Sequence, residues 1–333
     1  MEQDEVLSEI GMLAEKSQRI GRITMQNERI EILMAAYNGA PYIREQVDSI
    51  LRQSDENWHL TLSDDGSTDG TDDIIDEYAR QYPDRVQRVY SGRRFGGAKD
   101  PFLWMTEPCD ADYIAYCDDD DTWKADKLQK LRKAMLDAES RFGSDTPILV
   151  FSDQTVTDEK LSMLAPSLMR YQKQYFEHFD YRSILMQNVV TGGAMMINRA
   201  LARLALQCTD PSQVIMHDWW LAAVAARFGE IVYIDEPLGA YRQHGHNSVG
   251  AKNVGSLAHI LHKLGHTQEI SRTLTQKKAQ ASAFERTYAP MLEEADRAFL
   301  GQFARRRSGP VFYLKNRTLV HGFFRLAGMM VLG

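Results

Sequence analysis

Cysteine is scarce in this chain of 333 residues: it holds only Cys109, Cys117 and Cys208, in no recognisable spacing. That excludes a disulfide framework and a cysteine-ligated zinc site, and it fits a reducing compartment. Long apolar runs are also missing. The longest candidate, Leu319 to Leu332, is broken by Gly322, Arg325 and Gly328. A membrane-spanning helix needs roughly 20 apolar residues, so none is expected. The opening stretch MEQDEVLSEIGMLAEKSQRI is charged and has no apolar centre, so no secretory leader and a cytoplasmic location are expected. There is no excess of positive charge. Lys and Arg number 39 against 46 Asp and Glu, a net charge of −7, which argues against nucleic acid as a partner. No GxxxxGKS/T spacing and no GxGxxG after the first strand occur, which excludes a P-loop and makes a dehydrogenase-type dinucleotide fold a poor fit. Internal repeats and low-complexity segments are absent.

What is present is an ordinary globular composition, 44% hydrophobic and 26% charged, with an alternation of strands and helices. Residues 1–28 read as a polar helical extension with a weak stripe of Val6, Ile10, Leu13 and Ile20. From Ile30 the pattern changes. Apolar strand runs at Ile30–Ala36, Trp58–Ser63, Val86–Tyr90 and from Tyr113 alternate with helical periodicities at Tyr42–Gln53, Thr71–Tyr82 and Lys99–Thr106. This is the signature of an α/β fold with a mostly parallel central sheet flanked by helices. Ligands of such sheets bind beyond the carboxyl ends of the strands. Three of those ends carry unusual chemistry: Tyr37-Asn38, Asp64-Asp65 and Asp118 to Asp121.

The last of these is the most informative. YIAYCDDDDTW runs from a buried strand, Tyr113 to Cys117, straight into four aspartates. Adjacent carboxylates at the end of a buried strand repel one another unless a cation or strong donors lie between them. Hard oxygen ligands suit Mg²⁺ or Mn²⁺, with substrate phosphates completing the shell. The plainer alternative is a solvated turn that caps the next helix, but a cap needs one aspartate rather than four. DDGSTDG at Asp64–Gly70 is likewise a serviceable turn and helix cap.

Together ILMAAYNGAPYIREQVDSILRQ, LTLSDDGSTDGT and YIAYCDDDDTWKADKL resemble the family 2 glycosyltransferases of GT-A fold, a Rossmann-like architecture. Within them the chain is most similar to the rhamnosyltransferase-like enzymes of bacterial surface-polysaccharide assembly, from about Ile30 to Gly250. The resemblance implies a DxD motif at Asp118-Asp119-Asp120, with the metal on Asp120 and Asp118 beside it. It implies that Asp65 meets the nucleotide base and that Ala36 and Tyr37 line its pocket. Relatives often have Gln where this chain has Asp119, which leaves the ligand assignment among the three aspartates open. Arg93, Arg94 and Lys99 stand in a loop that either contacts the anionic donor or is a solvated basic loop.

Further along, Gly192-Gly193 either allow close backbone approach to the donor sugar, as the resemblance favours, or form a bulge. Asp218, in Met216-His217-Asp218-Trp219-Trp220, is either a helix N-terminal acid or, by the resemblance, the general base. His244 is implied to complete the metal shell, with His246 as a competitor, and Arg242 to face the diphosphate. The basic and aromatic mixture from Phe312 to Leu326 reads as an interfacial helix on a membrane or as a helix docked on protein. The domain reading is therefore an extension at 1–28, a GT-A domain at 29–250 and a helical appendage at 251–333. The implied reaction is inverting, metal-dependent transfer from a nucleotide-diphosphate sugar to a glycan or lipid-linked acceptor, at or near the inner face of the membrane. A nucleotide-sugar-forming nucleotidyltransferase and a non-catalytic scaffold are the rival classes.

Overall fold

A computed structural model describes residues 28–174, 179–245, 267–304 and 309–319. The N-terminal stripe, His246 and the basic and aromatic segment past residue 319 lie outside the described residues.

Nine strands form one sheet in the order β3-β2-β1-β4-β8-β6-β9-β5, with β7 paired to β6. Strands β1 (Ile30–Ala36), β2 (Trp58–Asp64), β3 (Val86–Val89) and β4 (Tyr113–Asp118) are parallel, and helices α1 (Ile43–Leu51), α2 (Thr71–Gln81) and α3 (Lys99–Thr106) connect them. Side chains along β1 alternate between the two faces of the sheet. Ile32 and Met34 join the core under α1, α2 and α4 (Lys127–Phe142), whereas Leu33 joins the core on the opposite face. A sheet covered on both faces accounts for the nearly unbroken apolar runs of β1 and β4. Register does the rest. Ala36 lies opposite Asp64, and Ala35 opposite Asp118, so the three polar strand ends reach one rim.

The second half departs from simple alternation. Strands β5 (Thr122–Trp123), β6 (Ile148–Thr157), β7 (Met163–Ala165) and β8 (Met195–Asn198) are followed by β9 (Glu230–Arg242). Strand β8 is antiparallel to both β4 and β6, while β9 runs parallel to β6. The apolar run from Ile231 to Asp235 predicts the last strand of the domain. The strand instead continues to Arg242. Register shifts around Asp153 seat Pro237 opposite it, and pairing resumes beyond. That extension delivers Arg242 and His244 to the rim.

Helices α5 (Leu168–Tyr171), α6 (Tyr181–Met186), α7 (Arg199–Ala205) and α8 (His217–Phe228) precede the C-terminal helices α9 (Thr267–Tyr288), α10 (Glu294–Phe303) and α11 (Gly309–Lys315). These last three share a core with α8. The Trp220 ring packs 5.7 Å from Phe284, and Phe228 lies 4.9 Å from Tyr288. Asp296 of α10 accepts hydrogen bonds from Tyr181 Oη at 2.7 Å and Arg227 Nε at 2.8 Å. Phe312 and Tyr313, for which the sequence leaves an interfacial helix and a helix docked on protein as alternatives, are buried in this core. Among the described residues no helix is long and apolar enough to cross a membrane.

Phe284 is fully buried, its ring packed against Trp220 and Phe228 of α8 and Tyr181 of α6. Phe284→Ala is expected to lower unfolding free energy by about 3–5 kcal/mol in a single cooperative transition. Urea unfolding followed by tryptophan fluorescence and circular dichroism checks this. Two separated transitions, or a loss below about 1 kcal/mol, would mean that α9–α11 do not share the core.

Candidate active site

The loop after β1 is built by its neighbours. Asn38 adopts a left-handed backbone (φ 52°), accepts from Thr68 N at 2.9 Å and donates its own N–H to Ser67 Oγ at 2.8 Å. Asp64 accepts from the N–H groups of Gly66 and Ser67, and Asp69 from Ala40 N. Both carboxylates therefore serve the loops themselves. Asp65 does something the sequence did not announce. Its two oxygens accept from Phe95 N at 2.5 Å and Gly96 N at 2.7 Å, folding the 91–97 loop across the rim. Arg94 of that loop lies 4.8 Å over the ring of Tyr37 and donates to its hydroxyl at 2.5 Å. Tyr37 and Arg94 thus form an exposed lip above the buried Ala36. Lys99 is turned away, bound to Pro211 O at 3.0 Å and Asp100 at 3.1 Å, so the structure does not bring it to this lip.

The four aspartates diverge. Asp119 points inward and accepts from Tyr37 N at 3.1 Å, and a Cβ on Gly39 would fall 2.2 Å from its carboxylate. It holds the β1 loop. Asp121 is fully buried between Gln154 Nε2 at 3.1 Å and Arg242 N at 2.9 Å. Asp120 faces His244, with Oδ2 to Nε2 2.8 Å. Asp118 turns toward Gly193, whose backbone N–H bonds it. Burial, then the charge of Asp120, pushes the Asp118 carboxyl up to about 7. The same two causes hold Asp119 and Asp121 well above the usual carboxylate range.

A shared excess of negative charge at desolvated oxygens, with an imidazole nitrogen facing one of them, fits Mn²⁺ or Mg²⁺. Asp120 and His244 are the facing pair. Among the described residues no three such side chains close on one point, so Asp118, Asp120 and His244 are not a finished shell, and substrate oxygens would complete it. His244 is held by stacking on Tyr42, centroids 4.6 Å apart. Arg242 departs from the expectation of a diphosphate contact. Its guanidinium donates to Asp120 O at 2.7 Å, Glu159 O at 2.8 Å and Glu45 Oε2 at 2.5 Å, which makes it a strut under Asp120.

The Gly192–Gly193 turn closes the site. A Cβ on Gly193 would lie 2.7 Å from Asp118 Oδ2, and one on Gly192 2.8 Å from His217 Nε2, so close approach requires both glycines. Gly192 N donates to Asp218 Oδ2 at 3.1 Å. The other Asp218 oxygen is buried with no hydrogen-bond partner among the described residues. Burial pushes the Asp218 carboxyl up to about 7, with Asp118 adding to the rise and the N–H groups of Trp219 and Gly192 opposing it. His217 sits against Phe102 and Tyr116, and burial lowers it to about 3, so it is neutral.

Two site residues escaped the sequence reading. Lys127, buried at the start of α4, donates to Gly193 O at 2.5 Å. Its signal was a lysine on the apolar stripe of Leu131, Met135 and Ala138. Tyr42 supports both Arg242 and His244 and had no signal beyond being aromatic.

A family model described as Glycosyl transferase family 2 matches residues 31–204. The dTDP-rhamnosyl transferase RfbG of Shigella flexneri is 30% identical over 230 residues, 66% of this chain and 74% of that protein. The putative teichuronic acid biosynthesis glycosyltransferase TuaG of Bacillus subtilis (strain 168) is 33% identical over 142 residues, 43% of this chain and 55% of that protein. Among solved structures, S. aureus TarS 1–349 in complex with UDP superposes with a TM-score of 0.54 at 12% identity, covering 91% of this chain and 90% of that one. The mannosyltransferase PcManGT from Pyrobaculum calidifontis, in complex with GDP-Man and Mn²⁺, gives 0.50 at 15% identity, covering 91% and 79%. The two structures share the fold, and the family match spans more than half the chain. With its GT-A sheet and helical C-terminal region, the chain belongs to glycosyl transferase family 2 and is a glycosyltransferase.

Proposed function

We propose that the enzyme transfers a sugar from a nucleotide-diphosphate donor to an acceptor hydroxyl with inversion, using Asp218 as general base. The observation that carries this reading is the asymmetry of Asp218. One oxygen is fixed by Gly192 N–H, and the other, buried and unpartnered among the described residues, is free to take a proton. A base whose pKa lies near neutrality is matched to that task. One base and one displacement imply inversion, in contrast to a retaining glycosidase with its nucleophilic second carboxylate.

The donor nucleotide lies across the rim of Ala36, Tyr37, Asp65 and Asp118-Asp119. The exposed Tyr37 ring offers a stacking face, and the folded 91–97 loop walls the base. The sugar lies beside Gly192 and Gly193, whose missing side chains let His217 and Asp118 close against the turn. A divalent cation on Asp120 and His244, with Asp118 behind, would supply neutralising charge to the departing diphosphate. The resemblance to RfbG favours deoxythymidine-diphosphate rhamnose as donor, and that to TuaG a cell-surface glycan or its lipid-linked precursor as acceptor. The enzyme then works in the cytoplasm, at the inner face of the membrane where such precursors are carried.

Asp218→Asn is expected to lower kcat by about 10²–10⁴-fold while donor binding survives. Loss of binding together with turnover would make Asp218 a structural cap. Below the pKa of about 7 Asp218 is protonated and cannot accept the acceptor's proton. In the wild type kcat/KM should therefore fall as pH drops through that value and level off above it. A flat profile from pH 5 to 8 would remove Asp218 from the role.

Nucleoside diphosphates should raise the thermal midpoint chiefly when Mn²⁺ or Mg²⁺ is present, by mass action on the folded state. Asp120→Ala and His244→Ala should each abolish the metal-dependent part. An equal rise without metal would exclude the cation from donor binding.

A further inference from the structure

We propose that Lys127 is a positioning residue for Asp218, acting through the Gly192–Gly193 turn. The inference rests on the reading of Asp218 as the base.

Consecutive backbone groups of the turn are held by charged side chains from three separate elements. Gly192 N–H is taken by Asp218 at the start of α8, Gly193 N–H by Asp118 at the end of β4, and Gly193 O by Lys127 at the start of α4. The Lys127 ammonium also lies 3.9 Å from the centroid of the Trp123 ring. The two glycines carry no side chains, so besides the turn's own backbone bonds, Ala194 N–H to Thr191 O at 3.0 Å and Met195 N–H to Gly192 O, these anchors set its orientation. The Gly193 carbonyl points down at Lys127 while Gly192 N–H points up at Asp218. Without the Lys127 anchor the Gly193 carbonyl loses its charged partner, and the turn is less firmly set at Gly192, whose N–H bond selects which Asp218 oxygen is left for the acceptor.

A purely structural account of Lys127 is weaker. It is only 1% exposed on an apolar stripe, where an aliphatic side chain would pack without desolvating a charge. Its charge also offsets the buried carboxylates of Asp118 and Asp121, so an apolar residue there would leave both less compensated. A lysine there is explained by what its ammonium holds.

The test is a double-mutant cycle on the full chain: wild type, Lys127→Met, Asp218→Asn and the pair. Donor turnover is measured with saturating metal, and folding is checked by cooperative thermal unfolding. Lys127→Met should lower kcat by about 10²-fold, the scale of a small misplacement of a catalytic group, with donor KM nearly unchanged. In the Asp218→Asn background the same change should add little, because the two residues act as a unit. Lys127→Gln, which keeps a donor for the Gly193 carbonyl without the charge, should recover part of the loss. It carries the same cycle if the methionine variant does not fold. Equal losses in both backgrounds, or an effect confined to donor KM, would overturn the inference while leaving the base intact. Wild-type turnover by Asp218→Asn would instead overturn the base reading, and this inference with it.

Discussion

Four carboxylates packed against the end of a buried strand repel one another, and much of the surrounding structure is arranged around that repulsion. Only Asp118 belongs to β4, and Asp119 to Asp121 follow in the bend before β5, so the four side chains are dispersed rather than stacked. Each meets a different donor: the Gly193 N–H for Asp118, the Tyr37 N–H for Asp119, His244 for Asp120, and Gln154 with the Arg242 N–H for Asp121. The donors are mostly neutral. Lys127 is the buried ammonium whose charge offsets Asp118 and Asp121, and it is itself lowered to about 8 by burial. The residual strain shows in the raised carboxyls at 118, 119 and 121. That is a poor arrangement for stability and a good one for attracting a cation with its anionic substrate.

The same constraint explains the glycines. Asp118 and His217 approach the Gly192–Gly193 turn closely enough that a methyl group on either residue would collide. Gly39 makes room for Asp119 in the same way. A substrate-binding loop with this little steric bulk gets its shape from hydrogen bonds to charged neighbours. Its geometry is therefore coupled to the charge state of the metal side. Asp118, which bonds the turn, is also the carboxylate that raises Asp218, so the donor side and the base communicate through field as well as through backbone.

Sequence patterns made the rim legible because β1, β2 and β4 are apolar runs that stop at polar residues, and a parallel sheet brings such ends together. The aspartate cluster and Asp218 could be found for the same reason: residue type and local context coincide. What was not legible depends on register across long separations. No local signal says that Asp65 spends its carboxylate on the Phe95 and Gly96 amides, or which of four identical side chains faces His244. Arg242 looked like a phosphate ligand because an arginine near a site usually is one. Its three protein acceptors, two in loops and Glu45 in helix α1, lie some 80 to 200 positions away in the chain. Pro237 hid the last part of β9, since a proline ordinarily ends a strand, and only the shifted pairing with Asp153 carries the strand past it.

That hidden extension ties metal chemistry to the fold. Because β9 continues, Arg242 reaches under the Asp120 carbonyl and His244 reaches its carboxylate, both resting on Tyr42. The Tyr42 hydroxyl in turn bonds Glu159, in the turn between β6 and β7. The facing pair Asp120–His244 is thus gripped from the β1 side by Tyr42 and from the β6–β9 side by Arg242. A chain that ended β9 at Asp235 would keep the aspartates and lose the groups that aim them. The aspartate motif supplies the charge, and the parallel pairing of β6 with β9 supplies the geometry that makes it usable.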